Sequence, residues 1–136
     1  MIVDTSALVA VAFAEAEHEP ILDALLNETG FVPAPVLVEY RRVMSLAGNA
    51  PSPAGELLLQ RLLERRLSVE PFGSADAHEA SAANAPHGSG NGRGGTLNLL
   101  DLMVYGMGRR MNLPILCTGR DFAATGIAIH PASRSW

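Results

Sequence analysis

A chain of 136 residues, 48% of them apolar, is long enough to bury one core, is read as one domain over residues 1–136, and is not composed like a disordered protein. The single cysteine, Cys117, excludes an internal disulfide and a cysteine-rich zinc site, and no apolar run nears the roughly 20 residues of a membrane span. Fourteen acidic residues against ten basic ones, all ten arginine, give a net charge of −4. That balance argues against broad electrostatic capture of nucleic acid, although clustered arginines can still grip phosphates bidentately.

Met1-Ile2-Val3 reads as a short buried strand, ended by Asp4 and two hydroxyls, Thr5 and Ser6. It lacks the basic start and apolar core of a secretory leader, and together with the lone cysteine this points to a cytoplasmic, reducing setting. Ala7 to Ala14 and Ile21 to Asn27 are predicted helical, with Ser6 as a cap for the first and Gly30 stopping the second. Phe31-Val32 reads as a strand. Pro35 suits a first helical turn, and Val36, Val43 and Leu46 predict the buried side of the helix that follows. Gly48-Asn49-Ala50-Pro51 breaks that helix. Ser52 opens another, with Leu58, Leu59, Leu62 and Leu63 as its apolar stripe.

Leu67 to Phe72 alternates like a strand, and Ser74 to Ala85 reads as a helix. Pro86 to Gly95 is predicted to be a flexible loop and Leu97 to Met111 a helix. Pro114 to Cys117 and Ile127 to Ile129 are the last strands. Strands separated by helices predict an α/β fold with a mostly parallel sheet, covered on both faces.

Four carboxylates sit where burial is expected. Asp4 follows a strand, at the sheet end where open α/β folds place ligand crevices. Glu39, three residues past Val36 and four before Val43, falls on the apolar stripe of its helix. Asp101 interrupts Leu99-Leu100-Asp101-Leu102-Met103, and Asp121 follows the strand ending at Cys117. Each also has a plain explanation: Asp4 as a helix cap, Glu39 paired with Arg42, Asp101 at its helix start, Asp121 as a cap. Four converging carboxylates cannot all stay ionised without cations. Oxygen-only donors select Mg²⁺ or Mn²⁺, and two such ions would balance their charge and suit in-line phosphodiester displacement. A single-ion site is the alternative. His18, His78, His87 and His130 have no zinc-like spacing.

These motifs, Met1 to Leu8, Pro35 to Glu39, Leu97 to Tyr105 and Leu116 to Phe122, resemble in order those of the PIN-domain proteins. The likeness is greatest to the VapC toxins of bacterial toxin–antitoxin pairs. The resemblance implies a three-layer α/β/α fold and a metal-dependent endoribonuclease held inactive by a cognate antitoxin. It also implies a homodimer. It aligns Asp4, Glu39, Asp101 and Asp121 with the family's acidic quartet, with Asp4 and Asp101 as direct metal ligands and Glu39 and Asp121 acting partly through water. Two departures are visible: Leu100 stands where the family commonly has glycine, and Gly119-Arg120-Asp121 carries one acid where many relatives carry two.

Around the quartet, Ser6 and Thr118 are candidates to hydrogen-bond a carboxylate or metal-bound water, or to act as caps. Asn98 reads as the cap of the Asp101 helix, and Arg120 either as a partner for the scissile phosphate or as a charge that weakens metal binding. Arg41, Arg42, Arg109 and Arg110 are further phosphate candidates or simply solvated surface. Gly90-Asn91-Gly92-Arg93-Gly94-Gly95 matches G-x-G-x-x-G, but lacks the preceding strand and following acid of a dinucleotide site. Two other functions stay open. One is a PIN-fold binding module without nuclease activity. The other is a phosphohydrolase with Asp4 as nucleophile, against which stands Ser6 in place of a second aspartate.

Overall fold

The structure, a computed structural model, describes residues 1–46 and 52–133. The break expected at Gly48 to Pro51 lies outside them. In chain order the described elements are β1 (Ile2–Val3), α1 (Thr5–Ala12), α2 (His18–Asn27), β2 (Gly30–Pro33), α3 (Ala34–Leu46), α4 (Pro53–Leu63), β3 (Leu67–Glu70), α5 (Ser74–His87), α6 (Leu99–Met111) and β4 (Ile115–Leu116). Short 3₁₀ turns at Ala123–Thr125 and Pro131–Ser133 follow.

All pairings between the four strands are parallel, in the order β3-β2-β1-β4. Ile2 and Val3 of β1 are both fully buried, although successive strand residues face opposite sides. Both faces of the sheet are therefore covered, which is the α/β/α layering expected. The strand order runs from β1 to β2 and β3 on one side and to β4 on the other. Its switch point thus lies between the carboxyl ends of β1 and β4, where α/β sheets open a ligand crevice. Backbone bonds close this junction from both ends: Ile2 N donates to Pro114 O (2.9 Å) and Asp4 N to Leu116 O (3.0 Å).

Several expectations shift for local reasons. Helix α2 stops at Asn27 because Glu28 turns extended, and Gly30 belongs to β2. A Cβ on Gly30 would lie 2.8 Å from Leu67 Cδ2, so glycine there serves the close approach of β3 and Met1. Helix α3 buries Val36, Tyr40 and Met44, while Leu46 is 75% exposed. The stripe follows Tyr40, whose hydroxyl donates to Gly55 O (2.8 Å) and locks α3 to α4. Helix α4 begins as predicted, with Ser52 Oγ accepting from Gly55 N. Its Leu59 and Leu62 belong to the core.

Helix α5 runs through Pro86 to His87, closing with Gly88 N on Asn84 O (2.8 Å). The connection after it is an organised turn. Asn91 Nδ2 donates to Ala85 O, and Asn91 Oδ1 accepts from Arg93 N and Gly95 N. Helix α6 starts at Leu99, since Leu97 is bridged to Gly88. The final predicted strand is reduced to one bridge, Ile129 to Ile115, because β4 is only two residues long.

Candidate active site at the switch point

Asp4 ends β1 and is itself the N-cap of α1. Its Oδ2 accepts from Ser6 N (3.0 Å) and from Ser6 Oγ. The cap is therefore Asp4 and not Ser6. Ser6 faces the neighbouring strand instead, its Oγ accepting from Thr118 N (3.0 Å). That bond ties the end of β1 to the end of β4 across the switch point. Thr118 enters through its backbone N–H. Asp4 is only 5% exposed. Burial lifts its carboxyl above the ordinary carboxylate range, the Ser6 bonds oppose this, and the charge of Glu39 adds to it.

Asp101 sits in the first turn of α6. Asn98 is the N-cap, as expected, with Oδ1 accepting from Leu100 N (2.8 Å) and Asp101 N (3.0 Å). Asp101 Oδ2 accepts in return from Asn98 N (2.9 Å), closing a capping box. The plain explanations of Asp4 and Asp101 are thus real, yet each cap uses only Oδ2. The Asp101 carboxyl is pushed up to about 6, first by burial and then by the charges of Asp4, Asp121 and Glu39, against the Asn98 bond. One carboxylate of the quartet thus feels the other three.

Glu39 and Asp121 lose their plain explanations. Arg42 does not pair with Glu39 among the described residues; it is Arg41 that pairs, with Glu56 (2.7 Å). Asp121 caps no helix among the described residues. The 3₁₀ turn after it is headed by Phe122 without a side-chain bond, and it is Asp121 O that accepts from Thr96 Oγ1 (3.0 Å). Glu39 is half-buried on α3, and Asp121 and Arg120 are exposed on the loop after β4. None of the four acids has an ion-pair partner among the described residues. Nor, among those residues, do any three His, Cys, Asp or Glu side chains close into a ready-made metal cage.

Glu39 also forms part of the wall of an apolar cleft of about 750 Å³, with Val38, Arg42, Phe72, Leu99 and Leu100. Leu100, in the place where a glycine was expected by resemblance, thereby adds apolar surface beside the acids. Two of the four arginines considered for phosphate are committed elsewhere, Arg41 to Glu56 and Arg110 to Asp76 and Glu70.

Thr5 escaped sequence reasoning, and so did the acidic neighbours of Cys117, whose place in an apolar strand marks it as a buried structural thiol. Thr5 Oγ1, beside Asp4, is the one fully buried side-chain polar atom without a partner among the described residues. Cys117 is 1% exposed, and its thiol is pushed up to about 12 by burial and by Asp4, Asp101 and Asp121. It floors the acidic site as an inert thiol. Thr5 was legible only as one of two adjacent hydroxyls. Nothing in an apolar strand sequence distinguishes a cysteine beside carboxylates.

The PIN-domain family model matches residues 1–128. The chain belongs to the PIN-domain family. Among PIN domains its relatives are VapC proteins. Ribonuclease VapC28 of Mycobacterium tuberculosis is 32% identical over 128 residues, covering 93% of this chain and 95% of that protein. Of solved structures, Mycobacterium tuberculosis VapC20, described as a sarcin-ricin loop cleaving toxin, superposes with a TM-score of 0.73 at 18% identity, over 93% of this chain and 95% of that one. VapBC2 of Rickettsia felis, solved bound to a DNA fragment from its promoter, gives 0.69 at 15% identity over 94% of each chain. These structures establish the PIN fold for this chain. No helix among the described residues is long and apolar enough to cross a membrane.

Proposed function

We propose that this PIN-domain protein is an endoribonuclease of VapC type that requires Mg²⁺ or Mn²⁺ and acts as the toxin of a toxin–antitoxin pair. The observation that carries the reading is Asp101, held near 6 while Asp4, Asp121 and Glu39 all act on it and none of the four has an ion-pair partner among the described residues. A charge surplus of this kind at a sheet's switch point is a ligand site waiting for cations. The name of VapC28 as a ribonuclease and the toxin–antitoxin complexes among the structural neighbours support the same reading.

The donor chemistry fits the metal, because the quartet offers oxygen alone. Asp4 and Asp101 would hold it directly, Glu39 and Asp121 partly through water. When bound, a divalent ion supplies a Lewis acid for the scissile phosphate and lowers the pKa of a water. The chain's own residues do the positioning. Ser6 fixes the Asp4 carboxylate and, through Thr118 N, holds the β4 end beside it. Asn98 does the same for Asp101. Arg120, exposed beside Asp121, meets the phosphate being cut.

The antitoxin has a natural seat in the apolar cleft, where Val38 and Leu99 are 71% and 77% exposed. A segment lying there would also cover Glu39. We further propose a single domain over residues 1–136, working as a homodimer in the cytoplasm. The test is incubation of the purified protein with structured RNA in Mg²⁺, Mn²⁺ or EDTA. Cutting is expected only with metal. Metal-independent cutting overturns the mechanism, metal binding without any cut returns the binding-module alternative, and a trapped phospho-Asp4 returns the phosphohydrolase. Mapping new 5′ ends after brief expression then identifies the RNA.

A further inference from the structure

We infer that the organised turn after α5 forms, with the turn after Asp121, a subsite for a backbone phosphate of the RNA strand flanking the cut. This rests on the ribonuclease reading and deepens it. A small cavity of about 140 Å³ lies between the two segments, lined by His87, Arg93, Gly95, Thr96, Ala124 and Thr125. Ligand pockets for whole small molecules run roughly 300–1,000 Å³, so this one receives a single group. Its walls are bonded to the acidic site, since Thr96 Oγ1 donates to Asp121 O and Ala124 and Thr125 follow Asp121 by three and four residues. The cavity thus adjoins the Asp121 corner of the quartet, on one of the paths open to a strand held there.

The lining has the right charge and is held in place. Arg93 is exposed and has neither an ion pair nor a side-chain hydrogen bond among the described residues. Its backbone is fixed by Asn91 Oδ1 (2.7 Å), and positive φ at Gly92 and Gly94 on either side curls the turn in a way a side chain would resist. The His87 ring packs on the buried Tyr105 ring with centroids 5.7 Å apart. In a chain of net charge −4, local guanidinium groups must supply the attraction that the whole molecule does not. Arg93 on this wall and Arg120 beside Asp121 provide two such points. The glycine pattern that imitates a dinucleotide motif thus serves to aim Arg93. A free acidic peptide is disfavoured, because it would bring carboxylates up to the quartet without the metal-bridging chemistry of a phosphodiester.

The test is binding of a fluorescent single-stranded RNA in EDTA, where no cut occurs, across a salt series. It compares the native protein with Arg93→Gln, Arg93→Lys and Arg65→Gln, the last altering an exposed arginine in the turn between α4 and β3, away from the switch point. Arg93→Gln is expected to weaken binding roughly five- to tenfold at low salt and to reduce the slope of log K against log salt by about 0.7, one phosphate contact on a single strand. Arg93→Lys should restore most of the slope, and Arg65→Gln should match the native protein. A methylphosphonate scan should find one linkage whose neutralisation weakens the native protein and leaves Arg93→Gln unchanged. In metal, Arg93→Gln should raise KM and spare kcat. If Arg93→Gln binds with native affinity and slope, the subsite is overturned while the nuclease can stand. If no RNA is ever cut and the slope still falls, the nuclease reading fails and the subsite stands.

Discussion

Asp4 and Asp76 are both buried carboxylates at the start of a helix, Asp4 as the N-cap of α1 and Asp76 in the first turn of α5, 5% and 2% exposed, and the fold treats them in opposite ways. Asp76 is fully answered. Its Oδ2 accepts from Gly73 N (2.8 Å), its Oδ1 is bonded by Arg110 Nε, and Arg110 Nη2 reaches Glu70 as well (3.2 Å). Helix α6 comes close enough to deliver that arginine because Gly106 has no side chain; a Cβ there would lie 2.5 Å from Asp76 O. Asp4 receives the hydroxyl and N–H of Ser6 but no basic side chain among the described residues, and the charge that acts on it is that of Glu39. A carboxylate that serves the fold recruits its counter-charge from the chain. Under the proposed function, the counter-charge of Asp4 arrives from solution with the metal.

The largest expected break in this comparison is catalytic. Asp4→Asn should lower RNA cleavage by about 100-fold or more, the scale on which removing one charge-stabilising group acts. It should leave unfolding free energy unchanged or raised, since the amide keeps an acceptor for Ser6 without the cost of a buried charge. Cleavage assays paired with urea unfolding check both halves.

Next in size is the reverse pattern. Asp76→Asn should destabilise the protein by about 2–3 kcal/mol, less than a fully buried pair loses because Arg110 is partly exposed and regains water. Cleavage per folded molecule should persist.

The smallest effect is a pH dependence. The Asp101 carboxyl lies near 6 in the folded protein, above its ordinary value of about 3.9. The folded state therefore holds its proton more tightly than the unfolded one. That contribution is fully present below about pH 4 and is lost as pH rises through about 6. Metal-free melting temperature should fall across this window, Asp101→Asn should flatten the fall, and saturating Mg²⁺ should also flatten it. An unchanged slope in Asp101→Asn would remove Asp101 as its source.

The acids of the site were easier to read than the acids of the fold. Asp4 and Asp101 interrupt apolar runs, so their conflict with burial is visible within a few neighbouring residues. The Asp76–Arg110 pair joins positions 34 apart, and no local pattern announces it. Strand order along the chain was legible from alternating apolar runs. Which side α3 turns inward was not, because Tyr40 bonding to Gly55 settles it and leaves Leu46 outside. Ile127 to Ile129 has the composition of a strand, but β4 offers it almost no length to pair with. Arg41 and Arg110 looked like free cations until acids distant in sequence met them.

The most direct measurement places both variants, Asp4→Asn and Asp76→Asn, in one experiment: cleavage rate per folded molecule in Mg²⁺, beside unfolding free energy. The expected result is crossed, with Asp4→Asn folded and inactive and Asp76→Asn weakened and active. Cleavage at the native rate by folded Asp4→Asn would contradict it.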